Sequence, residues 1–329
     1  MSASVASDTP VSDVPIPGAH TPDATASGAP TAAVCTGNSA QPAGSITFDL
    51  SPGQSGRIHA PEVDAIAAEL PQAIRDRGTL VVTGAGGAAP PLRFYATDDK
   101  TIVGSEVDFA SLIADILRLK LVAQVADWSQ NFVRVDSGEA DVFISNVTVT
   151  EEREQKYDFA TYRNDTVALE IPKQSTPEHQ DRTSLAGKRI GVGSGTNQEQ
   201  LLVKWNEQNI ADGLPAIDIA YFQQVTDYYL ALASQRLDGY IGPNPSAIYH
   251  STTANQTKIA ATFSGAGATL QGEIGVLTKK DNGLIGPINK AINNTIQTGT
   301  YQQVIDRWGL RTETVPSSRI NPPGLPKKS

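Results

Sequence analysis

The chain has 329 residues, with 26 Lys+Arg against 35 Asp+Glu, a net charge of -9, and one Cys, one Met and three Trp. That acidity argues against a nucleic-acid or anionic-membrane partner, since either wants a basic face. The lone Cys35 excludes an internal disulfide framework and a cysteine-based zinc site, no run of about 18 apolar residues is present to span a membrane, and the length suggests two domains.

Residues 1–45 are mostly Ala, Ser, Thr, Pro and Gly. They have too little apolar surface to offset the entropy of ordering, so they are predicted to be disordered. As a coil they would reach ~35–40 Å, which suits a tether; the alternative is a leader without function. Beyond Ser45 the patterning becomes periodic. A short amphipathic helix is predicted from Pro61 towards Arg77-Gly78, a strand over 79–83, and a Gly/Ala/Pro loop to Leu92. Asp108 reads as the N-cap of a helix over 109–117. Strands at 121–125 and 141–145 flank a helix over 128–135.

The rhythm then restarts. Strands are predicted at 188–192, 217–222 and 237–241, with helices over 197–206 and 226–234. A late strand at 274–277, helices around 284–297 and 301–307, and an extended Pro-rich tail complete the chain. Strands alternating with helices indicate an α/β fold with a largely parallel sheet.

Enzyme signatures do not stand out. There is no Gly-x-Ser-x-Gly elbow, no His-Glu-x-x-His and no Walker loop, and His20, His59, His179 and His250 are scattered. Gly191-x-Gly193-x-x-Thr196 lacks the third glycine of a dinucleotide fingerprint. No cofactor or metal is implied. Two loop-to-helix junctions carry polar donors instead. In the first, Ser145, Asn146 and Thr148 emerge at the carboxyl end of a buried strand, where open α/β sheets bind ligands. Thr150 is a candidate N-cap, and Arg153 offers a planar fork suited to a carboxylate, unless it simply pairs a neighbouring acid. In the second, Gly193-Ser194-Gly195 lets a ligand approach the helix that begins at Thr196, Asn197 and Gln198. The free N–H groups there favour an anion; the alternative is an ordinary capped turn.

Several runs resemble the family 3 solute-binding proteins, the amino-acid receptors of ABC importers, in order and spacing. They are Gly104-Ser105-Glu106-Val107-Asp108-Phe109-Ala110, Ser137-Gly138-Glu139-Ala140-Asp141-Val142, Asn146 through Arg153, and Tyr157 through Tyr162. Gly187 to Gln198 is similar to the second-lobe signature, and Gly299-Thr300 through Trp308-Gly309 to the usual ending. The resemblance implies a two-lobed, periplasmic-binding-protein-like type II Venus flytrap with the ligand cleft between lobes. Lobe 1 is expected over about 46–170 plus 274–329 and lobe 2 over 171–273, with hinge strands crossing near Leu169–Lys173 and Glu273–Leu277. It implies that Arg153 holds the ligand carboxylate with help from Thr148 and Asn197, with Ser145 and Asn146 adding contacts. Thr196 and Gln198 at the helix start and Asn244 after the 237–241 strand complete the candidate set. Trp128 falls at a pocket position, although a core aromatic would look the same in sequence.

Two departures from the family pattern bear on the ligand. Ala89 stands where many members place a stacking aromatic, and Pro243 or Asn244 stands where an Asp usually pairs the ligand's ammonium. Either another acid serves, such as Glu106 or Glu273, or the ligand is not a standard α-amino acid. The expected role is an extracytoplasmic receptor, monomeric, that closes on an amino acid or small carboxylate and docks on permease subunits. The alternatives are a cyclohexadienyl-dehydratase-like enzyme, which would need a general acid in the cleft, and a receptor feeding a sensor. Ala32-Ala33-Val34 is a poor lipobox for Cys35, so a lipoprotein anchor is expected on a Cys of a leader preceding residue 1.

Overall fold

The computed structural model describes residues 47–87, 89–176 and 181–327. The expected tether and Cys35 lie outside the described residues. In the first part of the chain come α1 (Asp64–Ala67), α2 (Gln72–Arg77), β1 (Thr79–Gly84), β2 (Phe94–Tyr95), β3 (Ile102–Val103), α3 (Ser105–Ile116), β4 (Lys120–Val125), α4 (Trp128–Ser137), β5 (Val142–Phe143) and α5 (Glu151–Glu154). The long strand β6 (Tyr157–Pro172) then leads to β7 (Arg189–Gly193), α6 (Asn197–Ala211), β8 (Asp218–Phe222), α7 (Val225–Ala233), β9 (Gly239–Pro243), α8 (Asn244–Ala254) and β10 (Thr257–Ser264). The chain returns through β11 (Gly272–Lys279), α9 (Ile285–Thr298) and α10 (Thr300–Arg307).

One curled sheet of nine strands runs β4-β1-β5-β11-β6-β9-β7-β8, with β10 on the other side of β6. The flanks are parallel, as expected: β1 pairs β4 and β5, and β7 pairs β8 and β9. The centre is not. β6 is antiparallel to β9, β10 and β11, so the sheet is mixed rather than largely parallel. The α/β type II architecture is therefore present, with two lobes sharing β6.

The resemblance implies a hinge strand near 169–173, but β6 as one strand from Tyr157 to Pro172 is not expected, for a physical reason. It carries Asp158, Arg163, Asn164, Asp165 and Glu170, which break the apolar run that marks a buried strand. In the fold those charges are buried and partnered. Residues 157–165 of β6 pair with β11, whereas 166–172 pair with β10 and 167–170 with β9. The change of partner thus falls at Asp165–Val167.

The lobe cores are separate. Leu80, Val82, Leu112, Ile113, Ile288 and Trp308 belong to the larger apolar cluster of the first lobe. Val167, Ile190, Val192, Leu201, Leu202 and Ile241 build that of the second. Asp108 is not an N-cap. The helix begins three residues earlier at Ser105, and Asp108 is fully buried inside it, accepting from Trp308 Nε1 at 2.8 Å and from Arg57 Nε at 3.0 Å. A buried carboxylate needs such donors, so its role is to tie the last helix and the first loop to α3. The helix expected from Pro61 to Arg77 is broken by Leu70-Pro71 into α1 and α2.

Candidate functional site

A cleft of about 170 Å³, partly open to solvent, lies between the lobes. Its first-lobe wall includes Ala85, Leu92, Asp127, Trp128, Ser145 and Asn146. Its second-lobe wall includes Ser194, Thr196, Gln198, Phe222, Tyr228 and Tyr240. Five of the expected site residues, Trp128, Ser145, Asn146, Thr196 and Gln198, therefore face one cavity. Arg153, Thr148, Asn197 and Asn244 do not line it.

Short β5 delivers the first group. The chain leaves the sheet at Ile144, and Ser145 Oγ accepts from the amide of Ala85 at 3.2 Å, joining the ends of β5 and β1. Asn146 turns with φ 56, a backbone state that Asn tolerates well. Its amide donates to Glu106 Oε2 at 3.1 Å, and its side-chain oxygen accepts from Arg163. Thr150 caps α5, its Oγ1 accepting from the Arg153 amide at 3.2 Å. The expected cap is thus present, although α5 is a single turn.

Arg153 lies just behind the wall. Its guanidinium is 5.5 Å from the ring centres of both Trp128 and Phe132. Nη1 donates to Thr148 O at 2.8 Å, and Nη2 reaches across the lobes to Gly195 O at 3.3 Å. Trp128 Nε1 donates to the same carbonyl at 3.0 Å. Among the described residues no carboxylate stands in ion-pair contact with Arg153. Burial pulls its pKa down to about 10, opposed chiefly by the charge of Asp165.

Asp165 is the residue that sequence reasoning missed. It sits on β6 where the sheet changes partners and is 1% exposed. Its Oδ2 accepts from Thr148 Oγ1 at 2.8 Å and from Asn197 Nδ2 at 2.9 Å, one donor from each lobe. Asn197 Nδ2 also donates to Gly265 O at 3.0 Å. Thr148 and Asn197, expected to help hold a ligand carboxylate, thus both donate to a carboxylate of the protein itself. Burial pushes the Asp165 carboxyl up, while the Thr148 bond, the Arg163 charge, the Asn197 bond and the Arg153 charge hold it down. An acid amid an apolar strand was the available signal, because such a charge persists only where donors await it.

The second helix start forms as expected. Thr196 caps α6, its Oγ1 accepting from the Glu199 amide at 3.2 Å and donating to Gly193 O at 2.7 Å. Gly195 (φ 74) needs glycine, and the indole of Trp128 lies 3.5 Å from where its Cβ would stand. Asn244 is buried as the first residue of α8, and its neighbours Pro243 and Ser246 line the cleft in its place. Ser246 Oγ donates across to Ala89 O at 3.2 Å.

Neither alternative acid reaches the cavity. Glu106 is fully buried and takes hydrogen bonds from Tyr162, Arg163 and Asn146, and Glu273 pairs with Arg319. Asp127 is the one charged side chain lining the cleft among the described residues, and it makes no ion pair there. Tyr228 and Tyr240 stack at 3.5 Å on the opposite side, and burial raises both phenols, so they remain protonated donors. Among the described residues, no group of three or more His, Cys, Asp or Glu is placed to hold a metal, and no helix is long and apolar enough to cross a membrane.

Two lobes sharing long β-strands around a polar, aromatic cleft define a solute-binding receptor fold. Residues 81–311 match the bacterial extracellular solute-binding proteins, family 3, and the chain belongs to that family. It is 31% identical over 237 residues to the L-cystine-binding protein TcyJ of Escherichia coli strain K12, covering 71% of this chain and 84% of that one. It is 26% identical over 262 residues to the arginine-binding protein ArgT of Corynebacterium glutamicum, covering 79% and 83%. An ancestral arginine-binding protein bound to arginine superposes with TM-score 0.63 at 27% identity, covering 70% of this chain and 98% of that one.

Proposed function

We propose that this receptor binds an amino acid, holding its carboxylate with Arg153 and its ammonium with Asp127. The observation that carries the reading is the buried guanidinium of Arg153, which stands at the lobe boundary and, among the described residues, donates only to carbonyl oxygens. A desolvated cation is far better matched by a carboxylate than by carbonyl dipoles, through shorter, charge-assisted and bidentate bonds. A ligand carboxylate would take the place of the Gly195 carbonyl, with Ser145, Asn146, Thr196 and Gln198 around it. Asp127, next to Trp128, supplies the acid that the sequence lacks at Pro243 and Asn244. The names of the relatives, cystine- and arginine-binding, support an amino acid. Trp128, Phe222, Tyr228 and Tyr240 supply apolar and cation-accepting faces for its side chain.

We divide the lobes at the partner change in β6. Lobe 2 then runs from about 167 to 271, slightly earlier than the expected 171–273. Closure of the lobes on the ligand follows from its preferential affinity for the closed arrangement. The partners we assign are the permease subunits of an ABC importer, with the receptor acting as a monomer on the outer side of the membrane. We read it as a receptor rather than an enzyme: the relatives are named as binding proteins, and Asp127 is the one acid lining the cleft among the described residues.

A thermal-shift screen over the standard amino acids, cystine and their deaminated analogues tests the reading. A ligand that binds only the folded state raises the melting temperature. At least one amino acid should stabilise the protein, and a flat response to all of them refutes the assignment. Release of an aromatic product from prephenate would overturn the non-catalytic reading.

A further inference from the structure

The family match ends at residue 311, yet the chain beyond it is built into the fold. After a short turn at Arg311–Glu313 it runs along β6. Asn164 Nδ2 donates to Thr314 O at 2.8 Å, the Thr161 amide to Arg319 O at 3.0 Å, and the Arg319 amide to Thr161 Oγ1 at 3.0 Å. The Asn321 side chain accepts from the Phe159 amide at 2.7 Å and donates to Asp158 at 2.9 Å. The tail then reaches the turn that carries Arg153. The Leu325 amide donates to Val149 O at 3.1 Å, and the Glu151 amide donates back to Leu325 O at 3.0 Å. Gly324 passes so close to Val149 that a Cβ would stand 2.4 Å from its carbonyl oxygen. The Leu325 side chain is 4% exposed and belongs not to the first lobe's core but to the cluster of Val167, Leu201, Leu202 and Ile241 in the second.

We infer that residues 311–327 form a strap across the lobe boundary, with Leu325 as a positioning residue for the Arg153 turn. The backbone of the strap is fixed to the first lobe, where Val315 is also buried, whereas the Leu325 side chain is seated in the apolar cluster of the second. It adds a non-covalent link beside the two places where the chain passes between the lobes, along β6 and just before β11. Opening the lobes would pull Leu325 out of its apolar seat or peel the strap from Val149 and Glu151. Either loses contacts that favour the closed arrangement, since burying a leucine is among the stronger stabilising terms. The effect on Arg153 rests on the proposed function; the link between lobes does not.

The test therefore reads the lobes without any ligand. In the full chain carrying Cys35→Ser, fluorophores placed through Gln130→Cys on α4 and Gln208→Cys on α6 report the separation of the lobes. Leu325→Ala should shift the distribution to longer separations while the far-UV circular dichroism is unchanged. The same distribution with and without the substitution overturns the strap. If Leu325→Ala does not fold, hydrogen exchange on the unsubstituted chain decides. The amides of Leu325 and Glu151 should be protected within tenfold of those of β6, and exchange at the rate of a free peptide refutes the inference. With L-arginine and L-cystine as probes, a loss of affinity of about tenfold in Leu325→Ala, a change of 1.4 kcal/mol, extends the role to Arg153. Unchanged affinity with separated lobes limits the strap to the lobe link and overturns the positioning role.

Discussion

The indole Nε1 of Trp128 donates to the carbonyl oxygen of Gly195 at 3.0 Å and so joins the first turn of α4 to the loop before α6 in the other lobe. Arg153 Nη2 approaches the same oxygen at 3.3 Å. Trp128→Phe keeps the ring against Phe132 and Phe143 but removes one cross-lobe hydrogen bond. Such a bond contributes about 1 kcal/mol. Ligand affinity should fall by about fivefold, with dissociation faster by a similar factor in stopped-flow fluorescence. An unchanged dissociation rate would mean that the indole nitrogen does not help hold the lobes together.

Arg153→Lys keeps a charge but not the fork, and Arg153→Ala removes both. Hydrogen bonds to charged groups contribute about 1.5–3 kcal/mol each. Calorimetry should show about tenfold weaker binding for the lysine variant and at least a hundredfold for alanine. Equal affinities in all three would take the carboxylate away from this residue.

Asp127→Asn should act on discrimination rather than on the fold, because its side chain is exposed and makes no ion pair among the described residues. Preference for the amino acid over its deaminated analogue should narrow by about tenfold, since one charged partner of the ammonium is lost. A preference as large as before would assign the ammonium to another group.

Much of this architecture was legible in the sequence. The parallel strands, the cap at Thr150, the helix start at Asn197 and the Gly195 turn each rest on local chemistry, and each is found. What was not legible depends on contacts distant in sequence. Asp108 looks like a cap until Trp308 and Arg57 arrive from opposite ends of the chain. Asp165 looks unsuited to a strand until Thr148 and Asn197 meet over it. Tyr228 and Tyr240 reach the cleft only because α7 folds back over β9.

Gly265 faces Asp165 so closely that a Cβ there would stand 1.6 Å from Oδ2. Gly265→Ala must displace a carboxylate held by both lobes, taking from Thr148 its acceptor and from Asn197 one of its two. Buried donors left unpaired cost about 1–3 kcal/mol each. Denaturant melts should show a loss of at least ~2 kcal/mol, and a stability equal to the parent would contradict the packing described.

Glu313 gives a pH dependence with a definite sign. It is buried against Arg163, and burial pushes its carboxyl up to about 7 from 4.5, more than the Arg163 charge pulls it down. The folded chain therefore holds a proton that the unfolded chain has released between roughly pH 4.5 and 7. Stability from this group rises as the pH falls through 7 and levels off below 4.5. Between pH 8 and 5.5 the parent should gain melting temperature relative to Glu313→Gln. A constant difference between the two across that range would show that Glu313 does not titrate there.

The order of strands bears on how the protein is made. β11 lies between β5 and β6 in the sheet, yet it is built from residues 272–279, and α9 and α10 pack on α3 from later still. The first lobe therefore cannot complete its core while the ribosome is still working on the second. Contacts of such long sequence separation form slowly, because the intervening loop must be closed first. The segment made last therefore carries both the helices that finish the first lobe's core and the run along β6 that follows them.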